Sequence, residues 1–239
     1  MPEKQLKVTL IAHTPEPEKT CALAARTCYS ALDYDGLQAL VNEKDQTAFL
    51  QRVIASGHTS VLEHASFTFA VEGVSRALLA QVTRHRIASF SVQSQRYVSL
   101  DQFSYIIPPR IKALGGDAVA EFERQMDQMQ RWYAQWQEKL GKGEGSNEDA
   151  RFVLPNACET HITLTMNARE LLHFFSLRCC NRAQWEIRDM AREMLRQCKQ
   201  IAPAIFENAG PGCVRGACPE GAKSCGQAAQ MRELFRNLK

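Results

Sequence analysis

Between Thr83 and Tyr97, fifteen residues carry three arginines, one histidine, three serines and two glutamines, with Ile87, Phe90 and Val92 spread among them. A run this polar cannot be buried whole, and the apolar side chains allow part of it to be held against a core. Any fold of the chain must therefore bring this segment to the edge of its interior. Guanidinium groups are forked, permanently charged donors that suit phosphate and carboxylate. The serines and glutamines add short hydroxyl and amide contacts. The segment reads as a preassembled anion site rather than a solvated run of charge.

A length of 239 residues allows one large domain or two small ones, and a 45% hydrophobic content is enough for a sizeable core. The net charge of +3 argues against a general nucleic-acid coat. No stretch approaches the ~18 uninterrupted apolar residues of a membrane span. Met1-Pro2-Glu3-Lys4 has no apolar region behind it and does not read as a signal peptide. The nine cysteines are an odd number in a long chain, which favours reduced thiols in the cytoplasm.

Leu6, Val8 and Leu10 alternate with polar neighbours and predict a first strand. A short helix follows over Glu18–Tyr29, and another carries Phe49, Leu50, Val53 and Ile54 up to a cap at Gly57. The next residues, Gly57 to His64, allow two readings, a functional loop just past a helix end or an ordinary connector with surface histidines. Phe67, Phe69 and Val71 predict a half-buried strand, and Ser75 is placed to cap a helix running through Leu78 and Val82 into Arg84. Gln81 lies one turn before Arg84 and His85. A long helix from Asp117 presents Val119, Phe122, Met126, Met129, Tyr133, Trp136 and Leu140 in steps of three and four, a seam for packing within or between subunits. Gly141–Gly145 reads as a flexible break, and Ser146-x-x-Asp149 as a capping box opening a short helix that holds Arg151.

Asn167 and Glu170 predict another capped helix start, with Leu171, Phe174, Phe175 and Arg178 at helical spacing. Ile187, Met190, Ala191, Met194, Leu195 and Cys198 form an amphipathic helix after it. The expectation is a single α+β domain over residues 1–207, a mixed sheet packed by long helices, with a Cys-rich tail over 208–239. Cys213, Cys218 and Cys225 can in principle bind metal with Cys198, Cys158 or Cys179 as a fourth ligand. They lack paired Cys-x2-Cys knuckles, and no metal site is assigned.

Arg84-His85-Arg86, seven residues, then Ser94-Gln95-Arg96-Tyr97, resembles the signature of the flavin-dependent thymidylate synthases. Gly57-His58 through Glu63-His64, Arg151-Phe152-Val153-Leu154-Pro155, Asn167-Ala168-Arg169 through Arg178, and Ala183-Gln184-Trp185-Glu186 resemble four further segments of that family, so the likeness spans roughly residues 20–207. It implies an α+β homotetramer with active sites shared between subunits. The implied reaction makes dTMP from dUMP, with methylenetetrahydrofolate as carbon source, FAD as redox cofactor and NADPH as reductant. A cytoplasmic enzyme without a nucleic-acid polymer or membrane as partner is expected.

By the resemblance, His58, Ser60, Arg84, His85, Arg86, Asn167, Ala168, Arg169 and His173 fall on FAD contacts. Gln81, Arg84, Ser94, Gln95, Arg96, Arg151 and Arg178 fall on dUMP contacts. Val92 stands where several members have a Glu near both ligands, so only its backbone can serve; His173 stands where an Asn is common. Arg96, Ser94 and Gln95 are assigned to the 5′-phosphate, and Arg151 and Arg178 to the pyrimidine. Arg178 is the expected catalytic residue, opposing negative charge that develops on the ring as carbon-5 is methylated. The reduced flavin is expected to supply hydride and relay the methylene carbon.

Ser94 has a rival role as nucleophile, but no orienting carboxylate is evident in its segment, and ligand contact is the favoured reading. Two other functions suit the arginine strip. An RNA-binding module would need a wider basic surface and exposed stacking aromatics. A nucleotide enzyme without flavin, such as a phosphotransferase, would be expected to carry a Gly-rich phosphate loop, and none of the Walker type is present.

Overall fold

The computed structural model describes residues 3–238. In chain order these form β1 (Lys7–His13), α1 (Pro17–Thr27), α2 (Tyr34–Glu43), α3 (Thr47–Ala55), a 3₁₀ helix (Thr59–His64), β2 (Ser66–Ser75), α4 (Arg76–Val82) and β3 (Ala88–Val92). After them come α5 (Pro109–Lys112), α6 (Gly116–Leu140), α7 (Glu144–Ala150), a 3₁₀ turn (Arg151–Val153), β4 (Glu159–Asn167), α8 (Ala168–Arg178), α9 (Trp185–Ile201), α10 (Pro203–Phe206) and α11 (Ala228–Asn237). The class is α+β, as expected.

The strands form one sheet in the order β1-β2-β4-β3. The expected mixed sheet is instead antiparallel. Thr14 N–H donates to the Ser66 carbonyl, while Gly73 lies against Gln5, so numbering rises on β1 as it falls on β2. Likewise Thr68 meets Thr165 and Gly73 meets Glu159 across β2 and β4. Gly73 has φ of 68°, and a Cβ there would lie 1.8 Å from the Gln5 carbonyl oxygen, so only glycine fits.

The chain forms two compact units, one taking residues 3–7, 70–84 and 90–163, the other 8–69, 85–89 and 164–238. In the first unit Phe103, Tyr105, Ile107, Met126 and Cys158 make a core against which Val119, Phe122 and Met129 pack. The predicted α6 seam serves that core only in part. Trp136 and Leu140 are each 46% exposed, and the inward residue of the last turns is Gln137. Its amide nitrogen lies 3.0 Å from Tyr133 Oη, 2.6 Å from Asn147 Oδ1 and 2.9 Å from Ser99 Oγ. A buried polar cluster has replaced the apolar seam because these groups satisfy one another.

The capping box at Ser146 is also absent. Ser146 lies inside α7 and its hydroxyl donates to the Gln137 carbonyl at 3.1 Å. The break before it is a short turn with Gly141 and Gly143 at φ of 92° and 114°. Ser75 does precede α4, without a side-chain cap bond.

In the second unit the apolar faces of α8 and α9 meet. Leu171, Phe174, Phe175, Ile187, Met190 and Met194 are fully buried. Phe67, Phe175 and Phe206 join edge to face, with centroids 5.5 and 6.0 Å apart. Each such side chain contributes roughly 1.5–3 kcal/mol when buried. The α8 cap forms as expected, with Asn167 Oδ1 accepting from Glu170 N–H at 2.9 Å. Residues 208–238 belong to this unit, where α11 buries Met231 and Phe235.

Candidate active site

The signature splits between the units, so its two parts are built separately. In the first unit α4 ends at Val82, and Arg84 Nε donates back to the Ala80 carbonyl at 3.2 Å. That bond satisfies a terminal carbonyl of α4 and leaves the rest of an exposed guanidinium available. Gln81 is half-buried on the last turn of the same helix.

Beyond Val92, which ends β3, the chain turns at Ser94. The Ser94 hydroxyl accepts from the N–H groups of Arg96 and Tyr97 at 3.2 and 3.4 Å, leaving its own proton to donate. No histidine or carboxylate bonds it among the described residues, which bears against the nucleophile reading.

Arg96 is already paired, through Nε and Nη2 to Glu144 at 2.9 and 2.5 Å, with Glu148 at 3.9 Å. Its guanidinium also lies 4.7 Å from the Tyr97 ring. The Gln137 cluster supports this turn from beneath, because Asn147 Nδ2 donates to the Arg96 carbonyl at 3.2 Å. Gln95 points inward, Nε2 lying 3.7 Å from Cys158 Sγ, and burial pushes that thiol up to about 11. Arg151 Nε donates to the Glu148 carbonyl at 3.0 Å.

In the second unit His58 and Ser60 stand exposed at the start of the 3₁₀ helix, and Arg86 is exposed with no carboxylate partner among the described residues. Arg169 is exposed and pairs with Glu63 of that 3₁₀ helix. Ala168 has no accessible side chain, and its N–H donates to the Ala65 carbonyl at 2.8 Å, so it offers a ligand no surface of its own. His173 is exposed, its ring centroid 5.9 Å from that of His85.

His85 is the most enclosed of the residues assigned to the flavin in this unit, Ala168 apart. It is 4% exposed, and both its ring nitrogens are engaged. Nδ1 lies 2.9 Å from Glu170 Oε1, and Nε2 lies 3.0 Å from Arg178 Nε. Burial holds the His85 pKa below the ordinary 6.5, and the neighbouring Arg178 and His173 charges add to that, while the Glu170 carboxylate opposes it. His85 thus has no ring nitrogen free for a flavin, and only its backbone could serve one.

Sequence reasoning used Glu170 only as a helix-start residue. Its spacing from Phe174 and Arg178, two steps of four, is the signal that places all three on one face of α8.

A cavity of about 700 Å³ in the second unit, lined by Lys199, Glu207, Arg232 and Phe235 among others, contains none of the expected site residues. The His85, Glu170 and His173 ligand atoms lie within 4.8 Å of one another, the one such group among the described residues; the tail cysteines do not converge in this way.

Residues 9–204 match the family model described as thymidylate synthase complementing protein. A protein of Geobacter sulfurreducens named flavin-dependent thymidylate synthase is 52% identical over 237 residues, covering 98% of this chain and 99% of its own. Proteins of the same name from Clostridium tetani and Pyrococcus furiosus are 47% and 41% identical, covering 96% and 90% of this chain and 97% and 90% of theirs. The family model stops before the tail, whereas the Geobacter match takes most of it in.

Proposed function

The chain belongs to the flavin-dependent thymidylate synthases, and from that premise we propose that it converts dUMP to dTMP with methylenetetrahydrofolate as carbon donor, FAD as redox cofactor and NADPH as reductant. The observation that carries this reading is identity at the 52% level over 98% of the chain, with the signature segment inside the span 9–204 that the family model matches.

The second unit's residues suit a flavin dinucleotide. Its diphosphate needs cations without carboxylate partners, and Arg86 is one. His58, Ser60, Asn167, Arg169 and His173 would complete the contact from this unit; Arg84 is assigned to FAD by the family resemblance. Val92 is assigned to both ligands through its backbone alone. A flavin held there would supply hydride to reduce the transferred carbon, its electrons drawn from NADPH.

The chain's own residues do the rest. Arg96, the Ser94 hydroxyl and Gln95 take the 5′-phosphate; Gln95 must turn out from Cys158 to do so. Gln81, Arg84 and Arg151 assist in holding the nucleotide. Arg178 faces the pyrimidine and opposes the negative charge that appears on its nitrogen or oxygen as carbon-5 becomes nucleophilic. A fixed guanidinium stabilises that charge more in the transition state than in the ground state.

No helix among the described residues is long and apolar enough to cross a membrane, in keeping with a cytoplasmic enzyme. We place it in a homotetramer with sites completed by neighbouring subunits. The exposed row of Trp132, Trp136 and Leu140 on α6 offers apolar surface for such contacts.

The test is direct. Purified protein should be yellow, release FAD on denaturation and form dTMP from dUMP, folate and NADPH. Colourless protein with no flavin uptake on titration would refute the reading. At dUMP concentrations too low for Ser94→Ala to bind well, mixing Arg178→Ala with Ser94→Ala subunits should give more activity than either alone if sites are shared.

A further inference from the structure

We propose that Glu170 is a positioning residue for the methylation: its carboxylate fixes the tautomer of His85, and His85 then fixes the guanidinium of Arg178. This rests on the role of Arg178 proposed above and adds how that role is enforced.

Glu170, Phe174 and Arg178 follow at intervals of four on α8, one face over two turns. The His85 ring bridges them. It touches Glu170 at one nitrogen and Arg178 at the other, and stands edge-on to Phe174 between them with centroids 4.8 Å apart. An arginine Nε–H can only donate. His85 Nε2, 3.0 Å from it, must therefore accept. A neutral imidazole has one N–H, so the proton sits on Nδ1 and is donated to Glu170 Oε1 at 2.9 Å.

A carboxylate accepts only, so it admits one tautomer; an amide at the same place can present oxygen or nitrogen and admits both. The His85 and Glu170 side chains are 3% and 8% exposed, so water is not at hand to satisfy the wrong tautomer.

Protonating His85 would add a hydrogen at Nε2, setting donor against donor and cation against cation at Arg178. The titratable groups facing the ring are Glu170, Arg178 and His173, all on α8. Burial, Arg178 and His173 lower the His85 pKa, so the neutral, accepting ring persists at neutral pH and is lost only as pH falls below the ordinary 6.5.

The first test leaves the protein unaltered. Nitrogen-15 NMR of the flavin-loaded enzyme near neutral pH should show His85 protonated at Nδ1 and bare at Nε2; the opposite tautomer overturns the proposal. The second uses single-turnover oxidation of prereduced enzyme at saturating dUMP. Glu170→Ala should slow it by about one to two orders of magnitude, less than loss of Arg178 itself, with the dUMP Kd within about twofold of wild type. Glu170→Gln should fall between, having kept one acceptor.

In an Arg178→Ala background, Glu170→Ala should change the rate less than about twofold, because the two act as one unit. A full additive loss there would mean Glu170 acts by another route, and the proposal would fall. Near-normal turnover of Arg178→Ala alone would instead remove the assigned role of Arg178, whatever tautomer the NMR reports.

Discussion

Two arginines of this chain are held in opposite ways. Arg96, in the first unit, has a side chain 38% exposed and rests on the exposed carboxylates of Glu144 and Glu148. Arg178, in the second, donates to a histidine whose own side chain is 3% exposed. Exposed ion pairs contribute little and are screened by salt, so Arg96 can exchange one anion for another. The buried ring beside Arg178 is neutral, so on that side it fixes position without compensating charge. One arrangement suits binding a phosphate; the other suits meeting charge that exists only during reaction.

The comparison breaks first at Arg178. Arg178→Ala should lower the single-turnover rate at saturating dUMP by about two to three orders of magnitude, with Arg178→Lys recovering only part. A change confined to dUMP affinity would show that the two arginines do the same work.

Next in size is the support beneath Arg96. Gln137→Leu removes the amide donor from Tyr133 Oη and Asn147 Oδ1, leaving a 3.4 Å bond between those two, and should cost about 1–3 kcal/mol in urea unfolding and weaken dUMP binding in parallel. Unchanged binding in a folded variant would detach the cluster from the turn. Ser94→Ala should weaken dUMP about tenfold while turnover persists; abolished turnover at saturation would restore Ser94 as nucleophile. The smallest effect is expected for Glu144→Gln. Removing a carboxylate that competes with phosphate should tighten dUMP by about two- to fivefold at low salt and fade as salt rises. Calorimetry at two ionic strengths checks this, and weaker binding at low salt would mean that Glu144 holds Arg96 in the shape the phosphate needs.

Local rules carried much of the fold. The Asn167 cap, the α8 and α9 faces and the alternation of β2 all formed where the pattern placed them. Two elements with readable signals were passed over. In α2, Asp33 caps Gly36 N–H ahead of buried Leu37 and Val41; in β4, Thr160, Ile162, Leu164 and Met166 alternate inward. The α6 seam misled because Trp136 and Leu140 keep the apolar spacing but face out, while Gln137, one residue along, is buried by partners from α7 and the Ser94–Ser99 turn.

The sequence by itself determined the family, the helix and strand periods, and which side chains carry permanent charge, because these depend on residue type and spacing along one segment. The tertiary structure alone decided what each charge rests on. His85 lies eighty-five residues from Glu170 and ninety-three from Arg178, and only the packing of their segments sets the ring nitrogens within 3.0 Å of both. Whether a histidine offers its nitrogens to a ligand or spends them on its neighbours depends on burial and on hydrogen-bond partners brought from elsewhere in the chain, which no local pattern encodes.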